Sequence, residues 1–164
     1  MHLSFSSIKL LQQPYRSRPP IFALIIGINK YHYERVRNLR GAVADADDLE
    51  SYLRETLEVP VDQIRNLRNE SATRSAIIKA LNDLICDARI RMGDAIIIFY
   101  AGHGGETKAP PGWDTETGKI QYILPCDIKT KDKDGSEIRG IPDRTLAIFL
   151  NTLAEVKGDN IVSE

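Results

Sequence analysis

Gly93-Asp94-Ala95-Ile96-Ile97-Ile98-Phe99-Tyr100-Ala101-Gly102-His103-Gly104-Gly105 is the stretch on which the reading of this chain turns. The apolar run from Ala95 to Ala101 is too short for a helix and rich in branched and aromatic residues. A turn pair precedes it and a glycine frame follows. That is the pattern of a strand buried on both faces, as strands of parallel sheets are. Phe22 to Ile28, bounded by Pro20 and Asn29, repeats the pattern.

Between the two runs lie two stretches with helical spacing. Ala42, Ala46, Leu49, Leu53 and Leu57 follow Gly41 and are ended by Pro60. Ile77, Leu81, Leu84, Ile85 and Ala88 follow Thr73, a capping residue, and are stopped by Gly93-Asp94. A weaker strand is expected over Asp62 to Leu67. Downstream the sequence predicts a loop over 102–119, a short strand over Ile120 to Leu124 and a charged loop over 129–140. A third helix follows, with Pro142 in its first turn and Leu146, Phe149, Leu150 and Leu153 along one side. Gly158-Asp159-Asn160 ends it, and Ile161-Val162 begins another strand. Strands alternating with helices build an α/β fold, a mostly parallel sheet with helices on both faces. Function in such sheets gathers at the carboxyl ends of the strands.

The chain has 164 residues, 42% of them apolar, with 22 Lys+Arg against 23 Asp+Glu. That suits one domain over residues 21–164, preceded by an extended segment over 1–20 that ends in Arg18-Pro19-Pro20. The balanced charge does not suggest a nucleic-acid binder. No apolar run reaches the roughly 18 to 20 residues of a membrane span, so no membrane partner is expected. Cys86 and Cys126 are too few for a disulfide framework. With no signal-peptide pattern, a reducing, cytoplasmic setting is expected. Basic residues dominate up to Arg40 and acids dominate from Asp45 to Glu58, which reads as a solvated arm beside an acidic helix face.

His103 is the sharpest chemical feature. It sits just past the end of the most buried strand, between glycines that allow close approach and leave backbone N–H groups free. Histidine suits proton transfer near neutral pH. A structural histidine at a strand end is the alternative, and the glycine frame favours catalysis. A phosphate-cradling loop is a third reading, although neither the dinucleotide nor the Walker spacing is present. A nucleophile is harder to find. Cys86 falls at a core-side position of the second helix, where cysteines are inert packing residues. Cys126 lies at a strand end within reach of His103 in principle, but reads as a packed loop residue. No G-x-S-x-G elbow occurs.

Taken in order, Phe22-Ala-Leu-Ile-Ile-Gly-Ile-Asn29, Leu39-Arg-Gly-Ala-Val-Ala-Asp-Ala46 and Gly93-Asp-Ala-Ile-Ile-Ile-Phe-Tyr-Ala-Gly-His-Gly104 resemble the large-subunit region of the caspase and metacaspase cysteine peptidases. Ile123-Leu-Pro-Cys-Asp127 and Ile141-Pro-Asp143 extend the resemblance, which runs from about Ile21 to Ile161 and has a metacaspase flavour. It implies a caspase-like three-layer fold, incomplete at its carboxyl end, and hydrolysis of peptide bonds after Arg or Lys. Protein or peptide substrates would be its partners. By this resemblance His103 matches the catalytic histidine, and Gly104 the residue whose N–H helps form the oxyanion hole. Asp45 matches an acid that binds a basic P1 side chain. A plain first-turn carboxylate, favoured by the helix dipole, is an equal reading of Asp45.

Two departures qualify the resemblance. The family nucleophile lies in a D-x-C-H-S-G-like segment roughly 50 or more residues after the histidine, at the end of the next strand. Val162-Ser163-Glu164 does not resemble it, and Cys126 lies in a different motif. The expectation is a chain cut short before its nucleophile and inactive alone. Calcium is the second departure. Asp143 matches a family ligand position, but Arg144 stands where a second carboxylate would be. Asp132 and Asp134 read as solvated, so no calcium site and no other cofactor is expected. The alternative to a peptidase is a non-catalytic module that self-associates or pairs with an intact caspase-like chain.

Overall fold

The structure, a computed structural model, describes residues 19–113 and 115–164. In chain order the main elements are β1 (Ile21–Gly27), α1 (Ala42–Ser51), β2 (Ile64–Arg68), α2 (Arg74–Cys86), β3 (Ala95–Ala101), β4 (Gly104–Lys108), β5 (Lys119–Ile123), β6 (Ile141–Pro142), α3 (Asp143–Lys157) and β7 (Ile161–Ser163). β2, β1, β3 and β7 lie side by side in that order, every pair parallel. The two apolar runs of the sequence are the two inner strands. β4, β5 and β6 form a second, antiparallel sheet.

Alternate side chains of β1 serve opposite faces. Ala23 and Ile25 pack with Ala46 and Leu53 on the α1 side. Phe22, Leu24 and Ile26 pack with Ile77, Leu81 and Leu84 of α2 and with Leu153 of α3 on the other. Helices therefore cover both faces, the α/β arrangement that the alternation predicts. The lead-in expected over residues 1–20 lies, up to Arg18, outside the described residues.

Local details differ from the sequence reading for physical reasons. Regular α1 stops at Ser51, and Leu53 is buried from a wider turn, Tyr52–Thr56, that carries the chain toward Pro60. α2 stops at Cys86, so Ala88 lies beyond it and is exposed. Pro142 precedes α3 in an extended conformation (φ −61°, ψ 147°) and completes β6 instead of the first helical turn. β4 occupies part of the expected loop. Its sequence, GGETK, has no apolar face, and only backbone pairing with β5 makes it a strand.

Gly27 closes β1 against α1. A Cβ there would lie 2.7 Å from Ala46 Cβ and 2.8 Å from the Ala42 carbonyl. Helical backbone cannot yield as a flexible side chain does. Gly27→Ala is expected to cost about 1–3 kcal/mol, read as a lower denaturant midpoint with an unchanged slope.

Candidate active site

Parallel strands bring the ends of β1 and β3 to one edge of the sheet, in register from Ile21↔Ala95 to Gly27↔Ala101. The loop after β1 is tied across that edge. Its Ile28 N–H donates to the Ala101 carbonyl (2.9 Å). Asn69 Oδ1 accepts from the N–H groups of Asn29 and Lys30, and Asn38 Oδ1 from that of Tyr31. Asn29 Oδ1 accepts from Val43 N–H and so helps cap α1, which Gly41 cannot do.

His103 lies under this loop, at the link between β3 and β4. Its N–H donates to Tyr31 Oη (2.8 Å) and its carbonyl accepts from Leu124 N–H (2.9 Å). Nε2 is 2.7 Å from the Arg37 carbonyl. A carbonyl only accepts, so Nε2 carries the hydrogen, and in the neutral ring the lone pair resides on Nδ1. The Tyr31 ring packs at 5.2 Å between centroids, tilted by 46°. Burial raises the phenol pKa of Tyr31 and of Tyr100, so both hydroxyls stay protonated across the physiological range.

Gly104 pairs with Ile123. Hydrogen-bonded and non-bonded pairs alternate in an antiparallel ladder. Since Leu124 N–H bonds to the His103 carbonyl, the next pair is non-bonded, and Gly104 N–H points away from β5. β4 is an edge strand, so that N–H leaves the sheet beside the histidine.

Asp45 lies in the first turn of α1, at the same end of the sheet, and is exposed. Its neighbours Asp47 and Glu50 pair with Arg68. Asp45 makes no ion pair among the described residues. The fold brings Asp45 and His103 to one edge of the sheet without a hydrogen bond between them.

The cysteines fare differently from the sequence reading. Cys86 is exposed, not on the core side, because α2 ends at it. α2 runs back toward the start of β3, so Cys86 and His103 lie at opposite ends of a seven-residue strand, about 20 Å apart. Cys126 is fully buried (0%), and burial, with the charges of Asp127 and Glu70 nearby, pushes its thiol up to about 12. Such a thiol is not a thiolate at neutral pH. Its segment is structural: Cys126 N–H bonds to the Ala72 carbonyl, and the Asp127 carboxylate accepts from Arg74 N–H at the start of α2. A thiol reagent at pH 7.5 is expected to label one cysteine in the folded chain, Cys86, and two in denaturant. The sign on stability follows. Above the ordinary value of 9.0 the unfolded Cys126 ionises while the folded one stays protonated until about 12, so stability falls with rising pH across that window. Cys126→Ala should flatten that fall by up to about 1.4 kcal/mol per pH unit, measured by unfolding at pH 8, 9 and 10.

Two of the acids considered for calcium, Asp143 and Asp132, accept local backbone N–H groups. Asp143 Oδ1 accepts from the adjacent Arg144 N–H, and the Arg144 guanidinium lies 5.1 Å from the centre of the Trp113 ring. Asp132 Oδ1 accepts the N–H groups of Asp134 and Ser136 and closes a turn. Among the described residues no group of three or more His, Cys, Asp or Glu could hold a metal ion, and no helix is long and apolar enough to cross a membrane.

Sequence reasoning missed Tyr31 and the Arg37 carbonyl. Neither has a signal of its own, since a backbone acceptor looks the same at every residue. The link from Tyr100 to His103 was within reach, because three residues separate them.

The parallel sheet flanked by helices defines an α/β domain, and the comparisons with known proteins give its family. The caspase domain family matches residues 21–152, and the chain belongs to that family. It is 33% identical over 115 residues to Metacaspase-1 of Ajellomyces capsulatus, covering 66% of this chain and 31% of that protein. Metacaspase-1 of Botryotinia fuckeliana is 34% identical over 113 residues, covering 65% of this chain and 26% of that protein. The chain thus spans about a quarter to a third of the length of these relatives. The crystal structure of a Geobacter sulfurreducens protein shares the fold, with a TM-score of 0.64 over 88% of this chain and 48% of that one, at 21% identity.

Proposed function

We propose that this chain supplies the histidine side of a caspase-type peptidase site that hydrolyses peptide bonds after Arg or Lys. The observation that carries the reading is the bond from His103 Nε2 to the Arg37 carbonyl, which leaves Nδ1 as the base. In this reading Nδ1 takes the proton of a cysteine thiol, and the thiolate attacks the substrate carbonyl. Gly104 N–H donates to the oxyanion, and the imidazolium returns its proton to the leaving amine. Water then hydrolyses the acyl-enzyme, with the same histidine as base. Asp45 pairs with the basic P1 side chain.

Neither Cys86 nor Cys126 is placed to be that nucleophile, so the reading assigns it to a cysteine outside these 164 residues. β7 runs parallel to β3 toward the His103 end, with Ser163 beside Ile98 and Glu164 N–H on the Ile98 carbonyl. That direction suits a nucleophile entering from beyond β7. In this reading the 164 residues without that cysteine carry no peptidase activity of their own. The test is a chimera in which the segment that follows the matched region in the Botryotinia relative is joined after Glu164. Fluorogenic peptides with Arg, Lys or Asp before the scissile bond are the substrates. Turnover after Arg or Lys that Asp45→Asn weakens supports the reading. A folded but silent chimera, or turnover by the unextended chain lost in Cys126→Ala, refutes it.

A second reading rests on β7, whose outer edge is unpaired among the described residues. An open edge supports strand addition, by self-association or with an intact caspase-like chain. A concentration-dependent mass in sedimentation favours it, and a monomer at every concentration counts against it.

A further inference from the structure

We infer that Tyr31 is a positioning residue for His103: its hydroxyl, together with that of Tyr100, holds open the first rung of the β4–β5 hairpin and so sets the imidazole against the Arg37 carbonyl. The inference rests on the reading of His103 as the base. The register Gly104↔Ile123 puts His103 opposite Leu124. One bond of that rung is made, from Leu124 N–H to the His103 carbonyl (2.9 Å). The return bond, from His103 N–H to the Leu124 carbonyl, completes such a pair in a regular ladder. Here it is absent. His103 N–H donates instead to Tyr31 Oη (2.8 Å), and the Leu124 carbonyl is 2.9 Å from Tyr100 Oη.

Tyr100 Oη also lies 2.8 Å from the His103 carbonyl, and its single proton serves one of these two acceptors at a time. Two hydroxyls thus occupy the rung and hold both peptide groups of one residue.

Gly102 makes room for them. A Cβ there would lie 2.5 Å from Tyr100 Oη and 3.1 Å from Tyr31 Oη. With the rung closed, His103 would continue a flat hairpin. With it held open, the residue turns beneath the loop after β1, where the Tyr31 ring supports one side of the imidazole and Arg37 O accepts its Nε2–H. Tyr31 meets His103 through its backbone N–H and one side of its ring, and takes no proton in the proposed reaction. It acts by fixing which ring nitrogen keeps its hydrogen.

The test reads the imidazole directly and needs no peptidase activity, so its failure is distinct from that of the peptidase reading. The 164-residue chain is labelled with 15N, and exchange of the His103 Nε2–H with water is measured at low temperature, the signal being assigned by its loss in His103→Ala. Tyr31→Phe keeps the ring and removes the hydroxyl. It is expected to speed this exchange by about ten-fold, the loss of roughly one hydrogen bond, and to let Nδ1 take a share of the hydrogen. Tyr33→Phe, a half-buried tyrosine of the same loop, is expected to change neither. Gly102→Ala, which displaces both hydroxyls and keeps both tyrosines, should reproduce Tyr31→Phe. The inference is overturned if Tyr31→Phe or Gly102→Ala leaves exchange and tautomer as in the unaltered chain, or if Tyr33→Phe changes them equally.

Discussion

Substituting His103 with alanine in the chimera is expected to lower kcat for an Arg peptide by about 10²- to 10⁴-fold, with KM little changed. The size follows from the role. A base that also returns the proton to the leaving amine acts in the transition state and adds little to ground-state binding. Asp45→Asn should divide differently, because a carboxylate facing the P1 cation binds ground and transition states alike, and KM should rise more than kcat falls. A histidine that only shaped the strand end would lower the amount of folded enzyme and leave kcat per folded molecule unchanged. Active-site titration of the chimera separates these outcomes.

The largest effect on stability is expected at Ile96. It is fully buried (0%) in β3, the strand between β1 and β7, and faces the core shared with Leu24, Ile77 and Leu153. Ile96→Ala removes apolar area and leaves a cavity that sheet neighbours on both sides cannot close. The cost is about 2–5 kcal/mol, against a total of about 5–15 for an ordinary domain. Ile148→Ala is the control. That side chain is 60% exposed on α3, and its loss should stay within about 0.5 kcal/mol. Equal denaturant midpoints for the two variants would contradict the packing described.

Gly27 links fold and site. Its missing Cβ lets α1 sit on the end of β1, and α1 carries Asp45. A substitution there reaches the proposed P1 pocket through a helix shift and not through the pocket itself. Cys126 shows the reverse dependence. It lies within the Ile123-Leu-Pro-Cys-Asp127 segment that extends the family resemblance, yet its carbonyl holds His32 N–H and its thiol is sealed in the core, so it is scaffold.

Strands β1 and β3, the amphipathic stretches of α1, α2 and α3, and the placing of His103 at a strand end were all legible from residues alone. Continuous apolar runs and helical spacing are local signals, and burial on two faces leaves them little ambiguity. Asp45 and Gly104 were legible only through the resemblance. Tertiary structure alone decided β4, because GGETK becomes a strand only when β5 offers it a partner. Structure alone also decided that Cys86 is exposed and Cys126 buried, since one residue at a helix end and one at a strand end can each face either way. The bonds that orient His103 belong to the same class. Tyr31 and Arg37 lie far from it in sequence, and their hold on it runs through a hydroxyl and a backbone carbonyl that gain meaning only when the chain folds back across the strand ends.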